Sequence, residues 1–435
     1  MFKHSNHILS HYSSPNRFLE HETFRVNNRE GHLLVVSGTH YDMGLMIGRV
    51  LGHLFQPNVE ILYKSLKRKI ALWLNKKRDI EDEIQAALVS FDRFTPIEAK
   101  MEMQGIYDGC RDSGHPLKDL QLLEKMNIVI ELGEQECTLF AVQPPFTKGH
   151  TYQLRDLDYY KKLSMDYIPA VIVRIPQDNQ GRAIDIATAS FDFVAVVAGG
   201  IFTGVNEFGV AFSQSRGPFL KRFSFDGTPI KYLISQILSK SKTAKEAINV
   251  IKKYPPATSH FAIISDPLNK RESLQLVFMG PDMLHHVPHS SVPDMSVIQY
   301  DDKSRAFYEP IEGAVYWTDM DGRKVDGIPA EFNMIDLHEL MNKYKHQEFN
   351  SNTGIEIAQT VGNDITFISA LFDTTSNEAW VAFSERDRPA HYNEFNHFNL
   401  NKYFAYKERL VTEESTLTQH KRHAPETSRD IPPSA

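Results

Sequence analysis

The chain has 435 residues, long enough for two ordinary domains or one large domain with an added layer. Hydrophobic residues make up 41% and charged residues 24%, the balance of a soluble globular protein. The net charge of −7 argues against a nucleic-acid binder, which needs a basic face to neutralise phosphates.

The first residues, 1–30, are polar and expected to be loose, without the continuous apolar core of a signal peptide. An apolar run at 32–37 reads as a short strand. From Met43 the positions Leu45, Met46, Val50, Leu51 and Leu54 follow a helical period, with an interruption expected near Pro57. Further helices are expected at 79–91, 96–112 and 117–131, the second opened by Thr95 as a cap and Pro96 in the first turn. The basic stretch at 64–78 could meet an anionic membrane surface, although a solvated helix face is the simpler reading.

After Glu136 the period changes to that of strands, at 137–142, 151–154, 170–175, 183–189, 193–197 and 210–213. Helices follow at 229–239 and 243–253, then strands at 261–265, 274–278, 314–317, 365–371 and 379–383, with a polar loop at 288–306. The chain therefore reads as α+β: a helical amino-terminal piece ahead of a body with much antiparallel sheet. The expected divisions are 1–30 as a polar segment, 31–136 as a helical fragment, 137–410 as the body and 411–435 as a disordered tail. No apolar run reaches the ~18 residues needed to span a bilayer. Two cysteines, Cys110 and Cys137, exclude a disulfide framework and fit a reducing compartment. The cytosol is the expected location, with export through a carboxy-terminal signal left open.

The chemistry concentrates at Cys137, which opens a strand after the polar run at 133–136. That strand runs about 20 Å outward, turns through Pro144, Pro145 and Gly149, and returns through Arg155 and Asp158. One hairpin thus gathers a thiol, a guanidinium and a carboxylate. Arginine beside a thiol favours thiolate, and Asp beside a free α-amino group would hold that group as a base near its usual ~7.7–8.0. Taken singly, a cysteine is more often a small buried hydrophobe, and an Arg–Asp pair more often a structural ion pair.

Three motifs carry a resemblance. They are Gly38-x-x-Tyr41-x-x-Gly44-x-x-x-Gly48-Arg49, then Cys137-Thr138 with Arg155-x-Leu157-Asp158, and Gly204-Val205-Asn206-Glu207-x-Gly209-Val210-Ala211. In order and spacing they resemble the self-processing acyltransferase family that includes isopenicillin-N acyltransferase, within the N-terminal-nucleophile hydrolases. Choloylglycine hydrolases and acid ceramidase are more distant relatives. The resemblance implies a four-layer αββα sandwich made as an inactive precursor that cleaves itself between Glu136 and Cys137. It implies amide hydrolysis or acyl transfer on a small N-acyl amide through a Cys137 thioester, with no cofactor or metal. In that scheme Asp158 orients the new α-amino group and Arg155 positions thiol and substrate. Oligomeric state and the nature of the acyl acceptor are left open.

Departures from the family pattern are equally informative. Asn206 reads either as a polar anchor near the site or, more simply, as part of a tight turn. The oxyanion-stabilising Asn expected further along is replaced by Gln214 or Ser215, and a Thr-Asn-His motif by Thr318-Asp319-Met320. An ionised Asp319 cannot donate to an oxyanion, so a slow or silent family member serving as a binding module, or an unprocessed cysteine hydrolase, stands as the alternative. His285, His286 and His289 lack accompanying ligand spacing and read as surface histidines.

Overall fold

The computed structural model describes residues 19–73, 80–133, 136–159, 163–216, 224, 226–270, 272–288, 311–318, 324–325, 328–329, 334–345 and 347–406. The chain opens with a hairpin, β1 (Leu19–Val26) and β2 (Arg29–Gly38), turned at Asn27 in the left-handed region. Four helices follow: α1 (His40–Trp73), α2 (Glu81–Phe91), α3 (Ile97–Asp112) and α4 (Gln121–Leu132). Next come β3 (Glu136–Val142), β4 (Tyr152–Asp158), β5 (Pro169–Pro176), β6 (Thr188–Phe193), β7 (Gly204–Asn206) and β8 (Ala211–Arg216). After helices α5 (Ile230–Lys240) and α6 (Ala244–Lys253) lie β9 (His260–Ser265), β10 (Leu274–Gly280), β11 (Met283–Pro288) and β12 (Ala314–Thr318). A small ribbon of β13 (Lys324–Val325) and β14 (Ile328–Pro329) precedes α7 (Met334–Tyr344) and α8 (Ser351–Val361). The described chain ends with β15 (Thr366–Asp373), β16 (Glu378–Phe383), β17 (Asn396–Asn399) and α9 (Leu400–Phe404).

These strands form two stacked sheets. The larger has the order β1-β2-β5-β6-β7-β8-β9-β10-β11, antiparallel except for the β2–β5 pair. The smaller, β12-β3-β4-β15-β16-β17, is antiparallel throughout. β3 and β4 pack on β8 and β9, so the inner faces of both sheets meet. Helices α1, α5 and α6 cover the outer face of the larger sheet, and α7 and α8 that of the smaller. The result is the α+β, four-layer αββα sandwich that the resemblance implied. Aromatic rings knit the middle: Phe193 of β6 lies 4.5 Å from Phe367 and 5.7 Å from Phe383, and Phe191 lies 5.6 Å from Phe372.

Three local expectations are corrected. Pro57 does not interrupt the first helix; α1 runs through it for 34 residues. The reason is burial along one stripe, where Ile47, Leu51, Phe55, Val59, Leu62 and Leu66 are all at most 1% exposed. A mid-helix proline costs about 3 kcal/mol, whereas each buried side chain contributes about 1.5–3 kcal/mol, so two neighbours of Pro57 suffice. Thr95 does not cap α3; its hydroxyl donates to the Phe91 carbonyl at 3.0 Å and closes the preceding helix, leaving Pro96 as an N-cap without a side-chain bond. Residues 19–30, expected to be loose, form the hairpin's first strand and part of its second, while the tail at 411–435 and most of the 288–306 loop lie outside the described residues.

Residues before 137 do not form a separate unit, because β2 pairs with β5 inside the larger sheet and α1 packs on that sheet. The glycines of the opening motif explain how α1 and α3 approach so closely. A methyl group on Gly44 would sit 2.1 Å from the Glu102 carbonyl oxygen, and one on Gly105 would sit 2.2 Å from that of Tyr41. Gly105→Ala therefore tests the packing by its sign. In an exposed helix the change would stabilise by about 1 kcal/mol. Here overpacking is expected to destabilise by about 2 kcal/mol, read as a lower midpoint of denaturant unfolding; a raised midpoint would contradict the close contact.

Candidate active site

Cys137 is the second residue of β3, and the β3–β4 register sets Glu136 opposite Asp158, Cys137 opposite Leu157 and Leu139 opposite Arg155. Side chains alternate along a strand, so Cys137 and Arg155 share the inner face of the smaller sheet. Arg155 Nη2 lies 3.6 Å from Cys137 Sγ. Its Nη1 donates to the Phe202 carbonyl and to Thr203 Oγ1, the latter at 3.1 Å, and the guanidinium carbon stands 4.8 Å from the centre of the Phe202 ring. Both residues are 0% exposed. A buried guanidinium fixed on one side by carbonyl and hydroxyl, and presented on the other to sulfur, can stabilise negative charge as it develops there.

Asp158 is three residues beyond Arg155 and so projects from the opposite face of β4. Its Oδ1 accepts from Thr366 Oγ1 at 2.8 Å, beside an irregularity in β15 between Thr366 and Ile368. Asp156, which the sequence reading passed over, shares that face and takes a hydrogen bond from Ser369. Burial, with the Asp158 charge adding to it, holds the Asp156 carboxyl well above the ordinary carboxylate range. The spacing of two between these aspartates was the available signal for a shared face.

The other candidates lie on different surfaces. Asn206 spends its side chain on structure: Nδ2 donates to the Leu238 and Ser241 carbonyls at 2.8 and 2.7 Å, and Oδ1 accepts from the Phe208 and Val210 amides. This is the tight turn, tethered to the end of α5, with Gly209 at φ +75°. Gln214 faces the helices rather than the thiol, its Oε1 2.9 Å from His260 Nδ1 in a buried chain that continues through Thr258 to Glu131. Ser215 alternates to the inner face, as does Ser213, whose hydroxyl meets Gln153 of β4 at 2.8 Å. Asp319 lies outside the described residues, as does the side chain of Glu136. His285 and His286 are adjacent on β11 and therefore point to opposite faces, and His289 is outside the described residues. Burial raises the Cys110 thiol to about 12 within α3.

Arg155 is held by a segment that is itself gripped from behind. Lys231 of α5 donates to the carbonyls of Val196 and Ala198, the first at 2.5 Å and the second at 3.3 Å. Asn127 of α4 also reaches the Ala198 carbonyl, Arg174 reaches that of Val197, and the Ile201 amide donates to Ser235 Oγ at 2.8 Å. Arg174 in turn is clasped in two-pronged fashion by Glu102, at 2.8 and 2.9 Å. On the upstream side, Arg216 Nη1 donates to the Gly133 carbonyl at 2.5 Å, so β8 also fixes the chain shortly before Cys137. Of the basic stretch on α1, Lys67 is paired with Glu81 at 2.9 Å and Lys64 with Glu60 at 3.3 Å. Among the described residues no helix is long and apolar enough to cross a membrane.

No family model matches the chain. Protein dcd1B from Dictyostelium discoideum is 24% identical over 404 residues, covering 86% of this chain and 75% of that protein. Among solved structures, a conjugated bile acid hydrolase from Clostridium perfringens matches 61% of this chain and 93% of its own, at 14% identity and a TM-score of 0.40. The Caenorhabditis elegans ortholog of N-acylethanolamine-hydrolyzing acid amidase matches 55% and 93%, at 14% identity and 0.38. Penicillin V acylase from Agrobacterium tumefaciens matches 57% and 83%, at 14% identity and 0.34. At such scores the fold stands on the sheet order and layers described above.

The buried charges behind Arg155 make a pH prediction. Burial pushes the Asp192 carboxyl up to about 7, against the opposing pull of Lys231 and Arg174. Between about pH 4 and 7 the folded chain therefore keeps a proton that the unfolded chain releases. The stability tied to that neutral carboxyl is full at the acid end and is lost as pH rises through the folded value. Asp192→Asn should flatten this part of the profile of unfolding midpoint against pH; an unchanged slope would remove Asp192 as its source.

Proposed function

We propose that the chain is the precursor of a cysteine N-terminal-nucleophile amidohydrolase or acyltransferase, of the self-processing kind, acting on a small N-acyl amide. The contact between Arg155 and the Cys137 sulfur at the start of β3 carries this reading. In the processing step Cys137 Sγ attacks the Glu136 carbonyl carbon, the peptide C–N bond breaks, and the Cys137 nitrogen takes up a proton. Water then hydrolyses the thioester, leaving a Glu136 carboxylate, a free thiol and a free α-amino group at residue 137.

In the mature form that amine removes the thiol proton, and the thiolate attacks the substrate's amide carbonyl. The leaving amine carries the proton away. Water or a second nucleophile releases the acyl group from the thioester, giving hydrolysis or transfer. Arg155 steadies negative charge on sulfur. Asp158, opposite Glu136 in the register, is the carboxylate nearest in sequence pairing to the new amine and orients it. Ser215, on the inner face, is the hydroxyl best placed among the described candidates to serve the oxyanion. With Cys137 fully enclosed in the unbroken chain, cleavage both creates the base and opens a way to the sulfur.

A second reading is favoured by the positions of Asn206 and Gln214: with both side chains turned to structural partners, a slow or silent descendant that binds without turnover also fits. Processing separates the readings. Wild-type protein is expected to give fragments of roughly 16 and 34 kDa, apportioned by length, and Cys137→Ala a single full-length band. An uncleaved wild type that still hydrolyses amides would indicate an unprocessed hydrolase, and one both whole and inert a binding module.

Turnover gives an independent check. Mass spectrometry after rapid acid quench of enzyme with an excess of N-acyl amide should show the acyl mass on the peptide containing Cys137. Asp158→Asn should fold normally yet lose about 10²-fold or more in kcat, the lower end of what general-base catalysis contributes, because the amine that serves as base is no longer oriented. Near-normal kcat in a fully processed sample would remove Asp158 from the mechanism.

A further inference from the structure

A cleft on the far side of the larger sheet from Cys137 lies in the helical layer between α2, the turn after it, α4 and the start of α5. Its volume is about 320 Å³, at the lower end of the range of small-molecule sites. Apolar walls come from Leu88 and Phe91 of α2 and from the Tyr232 ring. Among the polar groups that line it, the Asp92 and Glu124 carboxylates are acceptors, whereas Gln85, Gln121 and the Tyr232 hydroxyl can both donate and accept.

Asn127 adds a further acceptor, at 3% exposed. Its Nδ2 donates to the Leu123 and Ala198 carbonyls at 3.1 and 3.3 Å, and its Oδ1 has no hydrogen-bond partner. The amide cannot be turned over, because its oxygen would then confront two carbonyl oxygens. A buried acceptor left unmade costs about 1–3 kcal/mol, so this atom awaits a donor. Glu124, one turn away on α4, forms no hydrogen bond or ion pair among the described residues. Burial and the nearby Asp92 and Asp119 charges raise its carboxyl above the ordinary range. The neighbouring cation, Lys100, is engaged by Asp92 at 2.6 Å. The Tyr232 hydroxyl lies beside Asn127 and Thr95 and feels the Glu124 charge.

We propose that this cleft binds a small organic ammonium, its charge against Glu124, one N–H on Asn127 Oδ1 and its carbon chain along Leu88 and Phe91. An alkylammonium offers three donors and a positive charge, which suits the Glu124 carboxylate and the Asn127 oxygen. A neutral alcohol offers one donor and no charge, and a carboxylate would be repelled. The proposal is independent of Cys137 chemistry. Because Asn127 also holds the Ala198 carbonyl, an occupied cleft sits directly behind the segment that grips Arg155.

The test is titration calorimetry and ligand-observed NMR on the full chain with n-hexylammonium chloride, against hexan-1-ol and sodium hexanoate at matched ionic strength. Wild type should bind hexylammonium saturably, and hexanol and hexanoate at least about tenfold more weakly, the usual discrimination of a charge-assisted hydrogen bond. Glu124→Gln, a half-buried isosteric change, should weaken hexylammonium about tenfold while leaving the unfolding midpoint intact or higher. Gln121→Trp, on the exposed rim, should block it without altering the floor. Absence of saturable binding, equal binding of hexanol, or indifference to both substitutions would each overturn the proposal.

Discussion

The Arg155 guanidinium is the constraint around which the site is arranged. It is wholly buried between two sheets, yet it carries a charge that no described side chain neutralises by direct contact. Its two terminal nitrogens reach a backbone carbonyl, a threonine hydroxyl and a sulfur atom, while Nε has no hydrogen-bond partner among the described residues. Such a group is costly to enclose unless its directions are fixed and its charge is used. The layers behind it supply the fixing, since Lys231, Asn127, Arg174 and Ser235 each hold a backbone group of the segment that ends at Phe202 and Thr203. The geometry at sulfur thus depends on charges buried two layers away.

The same arrangement explains why the part before residue 137 is woven into the sandwich rather than set aside. β2 lies in the larger sheet beside β5, and α1 closes on α3 through paired glycines, which brings Glu102 to Arg174. A cut before Cys137 would sever one strand start without releasing either piece, because both contribute strands and helices to one continuous core. The opening glycine motif and the cysteine hairpin therefore belong to one mechanical unit.

How much was legible in the sequence follows from what each residue's role depends on. The strand starting at Cys137 and the return through Arg155 were readable because strand alternation is a local signal, whereas the αββα layering was legible only through the resemblance carried by the three motifs. The helix through Pro57 was not, since a buried stripe against distant partners overrides a local breaker. Strand β1 escaped because it is polar and exposed on one side, whereas the apolar run of β2 was legible. Gln214 and Ser215 could not be told apart by position alone, since a single step along β8 decides which of them faces β3 and which faces His260. Asp156 has no signal in the Arg–Asp spacing; only its two-residue separation from Asp158, set against strand alternation, places both carboxylates on one face. The cleft beside Glu124 has no linear signature at all, being assembled from three helices.

The central claim is that the thiol beside Arg155 becomes an amino-terminal residue. Amino-terminal sequencing of the larger polypeptide from freshly purified wild-type protein tests it most directly. The account predicts a sequence beginning Cys-Thr-Leu-Phe, produced in wild type and lost in Cys137→Ala. A chain that retains Glu136 joined to Cys137 while showing full amide-cleaving activity would contradict it.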